Sequence, residues 1–396
     1  MRLLIVSHVP HYRHEGAYFA YGPYAKEIEV WAELFSEIVI AAPCRMSFPS
    51  SETCKINRTN IRVAPQREVG GTTWRDKIGI VLALPALVLS LCREMSKAEA
   101  IHVRCPGNLG LLGALLAPLF SHYLIAKYAG QWDGFPGEQW TIRLQRFILR
   151  SWWWRGPVTV YGKPVGQSRH VIEFFSTMFT AKQLSLATAS AAARHWHSPR
   201  TVAFTGRLTR AKNVDILLEA VAALKSEGIH LQTFIVGEGP ESDRLKALAA
   251  SLGVEGQVVF TGGVAPERVP EFLERADIFV LASETEGWPK AIAEAMAFGL
   301  VCIGSDRGLT PMFLSDGRGL TVRPKDVAGL ADALRRVATQ PAEYVEMRRR
   351  ASQWAQGYSI ERLRDSLRVL MQDWWSLSEV HFLRGDESQP LSGALH

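Results

Sequence analysis

Short apolar runs alternate along this chain with longer stretches whose apolar positions recur every three or four residues. In the first half, Leu3–Ser7, Ile38–Ala42, Ile101–Val103, Leu124–Tyr128 and Val158–Tyr161 read as buried strands, and Pro23–Phe35, Lys77–Met95 and Leu109–Phe120 read as helices. The alternation breaks at Ala187–Pro199, a stretch rich in Ala, Ser and His that reads as a linker, and then restarts. Thr201–Thr205, Gln232–Val236, Val258–Phe260, Ile278–Leu281 and Val301–Gly304 are the second set of strands. Helices are expected between them at Val214–Glu227, Ser242–Ser251, Pro266–Arg275 and Pro289–Phe298. A strand-helix rhythm of this kind predicts an α/β protein with parallel sheets covered by helices, divided into two Rossmann-like domains at residues 1–190 and 191–358. Ser359–Trp375 reads as a long amphipathic helix within a terminal segment 359–384, and 385–396 is expected to be a flexible tail.

Composition agrees with two folded domains. The 396 residues are 47% hydrophobic and 21% charged, which fills two cores and excludes a disordered or low-complexity chain. Five cysteines without paired or metal-ligand spacing predict reduced thiols and a cytoplasmic setting. Met1–Ser7 reads as a first strand and not as a secretory signal. Residues 1–200 hold 23 Lys and Arg against 13 Asp and Glu (net +10), whereas 201–396 hold 22 against 26 (net −4). The basic half suits an anionic partner or a solvated basic surface, and no nucleic acid is expected. The apolar stretches Ile78–Cys92 and Leu109–Phe120 are both shorter than the roughly 20 residues a bilayer core requires. They read as buried helices or as peripheral contact with the inner face of an anionic membrane. Arg143, Arg146, Arg150, Trp152, Trp153, Trp154 and Arg155 would assist such contact, although a Trp triplet equally suits core packing.

Candidate chemistry concentrates in the second half. Glu286 and Glu294 bracket the start of a helix that follows a buried strand, with Pro289 suited to its first position. A helix N-terminus favours an anion, and the two carboxylates accept hydrogen bonds from hydroxyls, so a phosphorylated sugar fits the segment. Phe204–Asn213 is a strand-to-helix loop in which Gly206 frees the backbone. Its Arg207 and Lys212 offer a guanidinium fork and a point charge for a diphosphate. Gly237 and Gly239 superficially resemble a dinucleotide fingerprint, but the third Gly is replaced by Ser242, which disfavours a nicotinamide enzyme. Gly262 and Gly263 end a strand either as an ordinary turn or as a place where a nucleobase approaches the backbone.

In this order the pieces resemble the retaining glycosyltransferases of family 4, the group 1 glycosyl transferases of GT-B fold. The likeness spans roughly Val202–Leu334 and is much weaker over 1–190. It implies two Rossmann-like domains facing across a cleft, with the terminal helix crossing back to the first. It also implies a hexosyltransferase that moves sugar from a nucleotide diphosphate donor to a glycan or lipid-linked acceptor, in cell-surface or exopolysaccharide synthesis, without a metal or other cofactor. Carried over by position, Arg207, Lys212 and Glu286 would be the catalytic set. Gly206, Gly263, Val264, Gly287, Trp288, Lys290 and Glu294 would bind the donor, with Glu294 on the ribose hydroxyls.

The chain departs from the family at three places. Asn213 replaces a Gly after the loop lysine, Asp306–Met312 replaces a Gly-Gly-x-x-Glu segment, and Ala129 stands near an expected His. Candidates for the acceptor side are therefore His11, Arg104, Asn108, Lys127, Tyr128 and Gln131, together with the loop carrying His8 and His14. A nucleotide-sugar epimerase of the same fold and a non-catalytic glycan-binding scaffold are the alternative readings.

Overall fold

The computed structural model describes residues 1–49, 53–68, 74–134, 138–164, 166, 168–194, 196 and 200–376. The first sheet is built from β1 (Arg2–Val6), β2 (His11–His14), β3 (Ala17–Tyr21), β4 (Glu37–Arg45), β5 (Thr53–Ile56), β6 (Ile61–Gln66), β7 (Ala100–Cys105), β8 (Tyr123–Tyr128), β9 (Val158–Tyr161) and β10 (Val171–Phe174). Its order is β10-β9-β8-β7-β1-β4, and β4 pairs both with β6 and with the β2-β3-β5 extension. The strands from β10 to β6 run parallel, with Leu3 opposite Ile38 and Ala100 in the two flanking strands. Their side chains alternate between two apolar layers. Leu3, Ile5, Ile38 and Ile40 face the helices Gly22–Leu34 and Ile360–Trp375, while Leu4, Val6, Val39 and Ala41 face Trp74–Met95, Asn108–Leu116 and Trp140–Arg150. Burial on both faces is why these strands read as near-continuous apolar runs.

The second sheet comprises β11 (Thr201–Thr205), β12 (Gln232–Val236), β13 (Val258–Gly262), β14 (Ile278–Leu281), β15 (Val301–Ser305) and β16 (Gly319–Val322), all parallel, in the order β13-β12-β11-β14-β15-β16. Order reverses between β11 and β14, and ligands of open α/β sheets sit at such a switch point, beyond the carboxyl ends of the strands. The helix Ile360–Trp375 returns to the first sheet, where Leu363, Leu367 and Met371 are buried and Trp375 Nε1 donates to the Leu124 carbonyl at 3.2 Å.

Three expectations change. The expected linker at Ala187–Pro199 is largely helix: Ala181–Ala193 is helical and starts with a capping box between Thr180 and Gln183. Residues 195 and 197–199 lie outside the described residues. Leu184 and Ala187 of that helix pack in the second domain's core, as does Phe179 before it. The chain thus leaves the first sheet after β10, upstream of the expected boundary at 190. The expected His8–His14 loop contains β2 and opens a hairpin with β3, turning at Glu15 and Gly16, both at positive φ (48° and 77°). The expected tail 385–396 and residues 377–384 of the terminal segment lie outside the described residues. No described helix is long and apolar enough to cross a membrane, and all five cysteines are free thiols.

Candidate active site

A cleft of about 870 Å³ lies between the two sheets and is lined from both domains. The second domain contributes Gly206, Arg207 and Lys212 from the loop after β11, Gly263 and Val264 after β13, and Glu286, Trp288, Lys290 and Glu294 after β14. Nine of the ten residues read as catalytic or donor-binding therefore converge on one wall. The tenth, Gly287, faces the first domain, where a Cβ would lie 3.7 Å from the Gly130 Cα.

Backbone packing explains how the Arg207 loop is held. Gly206 (φ 150°) and Gly237 (φ 135°) face each other so closely that a Cβ at Gly237 would lie 2.0 Å from the Gly206 carbonyl oxygen. A Cβ at Gly239 would meet the Leu208 carbonyl at 2.3 Å. The amides of Gly206 and Leu208 donate to the carbonyls of Val236 and Glu238 at 3.0 and 2.9 Å, locking the two turns together. The Gly237-x-Gly239 pair is thus a close-packing device beneath the loop. Asn213 adopts the left-handed conformation (φ 50°, ψ 42°) that its family counterpart Gly would, and its Nδ2 donates to the Ala282 carbonyl at 2.9 Å.

The helix Lys290–Ala297 opens onto the cleft with Pro289 at its N-cap, so it begins one residue later than expected. Glu286 sits ahead of it and accepts from Lys212 Nζ at 2.5 Å. Glu294 is half-buried in the cleft wall, where burial pushes its pKa up to about 7 against the opposing charge of Lys290. Burial likewise lowers Lys290, with Tyr161 opposing and the charge of Lys127 adding to the fall. The segment that replaces the family's Gly-Gly-x-x-Glu clamps the first glutamate. Leu309 N donates to the Glu286 carbonyl at 2.9 Å, and Gly308 (φ 61°) lies where a Cβ would come 2.3 Å from that same oxygen.

The first-domain wall differs from expectation. His8, Tyr12, Tyr21, Lys26 and Thr53 line it, delivered by the β1 loop, the β2–β3 hairpin, the following helix and β5. None of His11, Arg104, Asn108, Lys127, Tyr128 and Gln131 does. His11 is fully buried beneath, its Nδ1 3.0 Å from the Val9 carbonyl, and burial holds its pKa at about 4. Arg104 Nη1 donates to both carboxylate oxygens of Glu27 at 3.1 Å, and Lys127 Nζ lies 2.9 Å from Glu27 Oε2. Burial works against the Glu27 carboxylate, but Arg104 and then Lys127 outweigh it and hold the pKa below the ordinary range. Tyr128 is buried against Trp132, with its phenol pushed up to about 12 by burial. Asn108 is exposed in the first turn of its helix, and Gln131 is half-buried. Glu27 carried no sequence signal, because both of its partners lie more than seventy residues away.

Residues 189–356 match the model of the glycosyl transferases group 1 family. The D-inositol 3-phosphate glycosyltransferase of Rhodococcus erythropolis is 33% identical over 175 residues, covering 42% of this chain and 39% of that protein. The amylovoran biosynthesis glycosyltransferase AmsK of Erwinia amylovora is 31% identical over 156 residues, 38% of each chain. The matched stretch thus spans about two fifths of the length of these curated relatives. Among solved structures, sucrose-phosphate synthase of Thermosynechococcus elongatus superposes with a TM-score of 0.70 at 18% identity, covering 95% of this chain and all of that one. HepE of Anabaena superposes with a TM-score of 0.68 at 15% identity, covering 93% and 99%. Residues 189–356 are thus similar to the glycosyl transferases group 1, and the chain as a whole has the two-domain GT-B fold of these solved structures.

Proposed function

We propose that this protein transfers a hexose, with retention of configuration, from a nucleotide diphosphate sugar to a glycan or lipid-linked acceptor in the synthesis of a surface or extracellular polysaccharide. The observation that carries the reading is the convergence of Arg207, Lys212, Glu286 and Glu294 on one wall of the interdomain cleft. Arg207 and Lys212 bind the diphosphate and stabilise the charge that grows on it as the glycosidic bond breaks, so no metal ion is required. Glu294 accepts hydrogen bonds from the ribose and Glu286 from the sugar, while Gly263 and Val264 flank the base. The acceptor enters past Tyr12, Tyr21 and Lys26.

Support for a sugar nucleotide comes from HepE of Anabaena, which was crystallised in complex with UDP and glucose. A relative from Mycobacterium tuberculosis is GDP-mannose-dependent, so the base stays open between these two. AmsK and the putative colanic acid biosynthesis glycosyltransferase WcaL of Escherichia coli support a polysaccharide product. The test is a thermal-shift screen of uridine, guanosine and adenosine diphosphate sugars, followed by transfer from the best donor and determination of the product anomer by NMR. A stabilising donor and a product of unchanged anomeric configuration are expected. An inverted product contradicts retention, and an epimerised donor with no acceptor consumed favours the epimerase.

A further inference from the structure

We propose that the helical layer on the outer side of the first sheet docks on an anionic lipid bilayer. The layer comprises the helices Trp74–Met95, Asn108–Leu116 and Trp140–Arg150 and the turn that follows the last of them. Its inner side is ordinary core, with Leu87, Leu91, Leu109 and Leu149 buried against β1, β7 and β8. Its outer side is not ordinary surface. Of the fifteen large hydrophobic residues exposed among the described residues, eight lie between Leu82 and Trp152 in this layer. Phe147 is 70% exposed and Trp152 82%, with Leu82, Leu89, Leu119 and Trp140 comparably open. Monomeric soluble proteins seldom leave so much apolar surface together unless it meets something.

Charge selects the occupant. The stretches 108–120 and 139–155 contain Arg143, Arg146, Arg150 and Arg155 and no Asp or Glu, and in the helix Trp74–Met95 the acidic residues, Asp76 and Glu94, stand only at its two ends. The buried Glu138 pairs with Arg146 and, at 3.7 Å, with Arg143, whose side chain stays exposed, and Arg150 and Arg155 are exposed beside the aromatic residues. Exposed Trp and Phe flanked by Arg, with no exposed acidic side chain between 139 and 155, match the headgroup region of an anionic membrane. A second copy of the chain fits poorly, because a twofold contact would set the exposed Arg143, Arg150 and Arg155 against their own copies. No described helix is long and apolar enough to cross a bilayer, so the layer lies on the membrane surface. The crossing helix Ile360–Trp375 occupies the opposite face of the sheet and stays clear of the lipid.

The experiment is co-sedimentation of the full chain with phosphatidylcholine vesicles, with and without phosphatidylglycerol, at low and high salt. Binding is expected only to the anionic vesicles, weakened by salt. Replacing the exposed pair, Phe147→Ser with Trp152→Ser, lowers the partition coefficient roughly tenfold or more. Replacing Arg143→Gln and Arg155→Gln lowers it roughly fivefold per cation. All four substitutions are on the surface, so the thermal midpoint and any shift caused by a sugar nucleotide stay unchanged, which separates this inference from the transferase reading. The proposal is overturned by absence of sedimentation with anionic vesicles. It is equally overturned if the aromatic variants bind as well as the parent, or if light scattering reveals a dimer that those variants dissociate.

Discussion

Lys212 and Glu286 form an ion pair across the cleft wall, and a sugar nucleotide bound as proposed would have to part them. On the proposed reading the diphosphate takes the ammonium and the sugar hydroxyls take the carboxylate. Glu294 adds a pH dependence. Burial raises its pKa to about 7, which favours the protonated form, whereas hydroxyl donors favour the carboxylate. Nucleotide affinity is therefore expected to fall as pH drops from about 8 to about 6, by up to roughly tenfold, and Glu294→Gln should flatten the profile in a calorimetric titration. In the ligand-free protein the sign reverses. A carboxyl whose folded pKa lies above its unfolded value loses stability as pH rises through about 7, so Glu294→Gln should raise the denaturation midpoint at alkaline pH. Arg207, Lys212 and the two glutamates were legible because their spacing along strand-loop-helix units fixes where they point. Arg104 and Lys127 read as acceptor-side candidates because nothing local reveals Glu27, which pairs with both from a distant helix.

Glycines that read as a failed nucleotide fingerprint turn out to join two elements. Gly237 packs on the Gly206 carbonyl because it has no side chain, and the loop that carries Arg207 rests on that contact. Gly237→Ala is expected to cost about 2 kcal/mol or more, since the clash is with backbone and φ is 135°. Chemical denaturation followed by tryptophan fluorescence checks it, and nucleotide binding should weaken in parallel. Five of the six strands of the second sheet were legible to within two residues because parallel strands buried on both faces are unbroken apolar runs, whereas the edge strand β16, with its Gly and Thr, was missed. The hairpin β2–β3 was not, since its strands mix His, Tyr and Arg without clear alternation. Nor was the helix Ala181–Ala193, whose Ala-rich composition reads as a linker once its capping box is overlooked.

At the scale of the whole molecule, the two domains meet beside the cleft through aromatic and glycine contacts. Tyr161 packs on Trp288 with ring centroids 5.4 Å apart, and Leu309 lies against Gly162. Beneath them, Glu27 neutralises two cations that would otherwise repel inside the first domain. Glu27→Ala should cost about 3–5 kcal/mol, because it strands Arg104 and Lys127 without a buried partner. The depressed pKa means that this stabilisation is fully present above the ordinary carboxylate range and is lost as pH falls into strong acid. The domain division was legible from the restart of the strand-helix rhythm, but the crossing point was not, since it depends on which sheet the helix Ala181–Ala193 packs against.

The most direct test is calorimetric titration of uridine and guanosine diphosphate into the parent protein and into Lys212→Ala. One of the two nucleotides should bind the parent at a single site per chain, and removing the lysine should weaken it roughly tenfold to a hundredfold, the worth of one charge-assisted hydrogen bond. Equal affinity in both proteins, or no binding of either nucleotide to the parent, would contradict the assignment of the cleft.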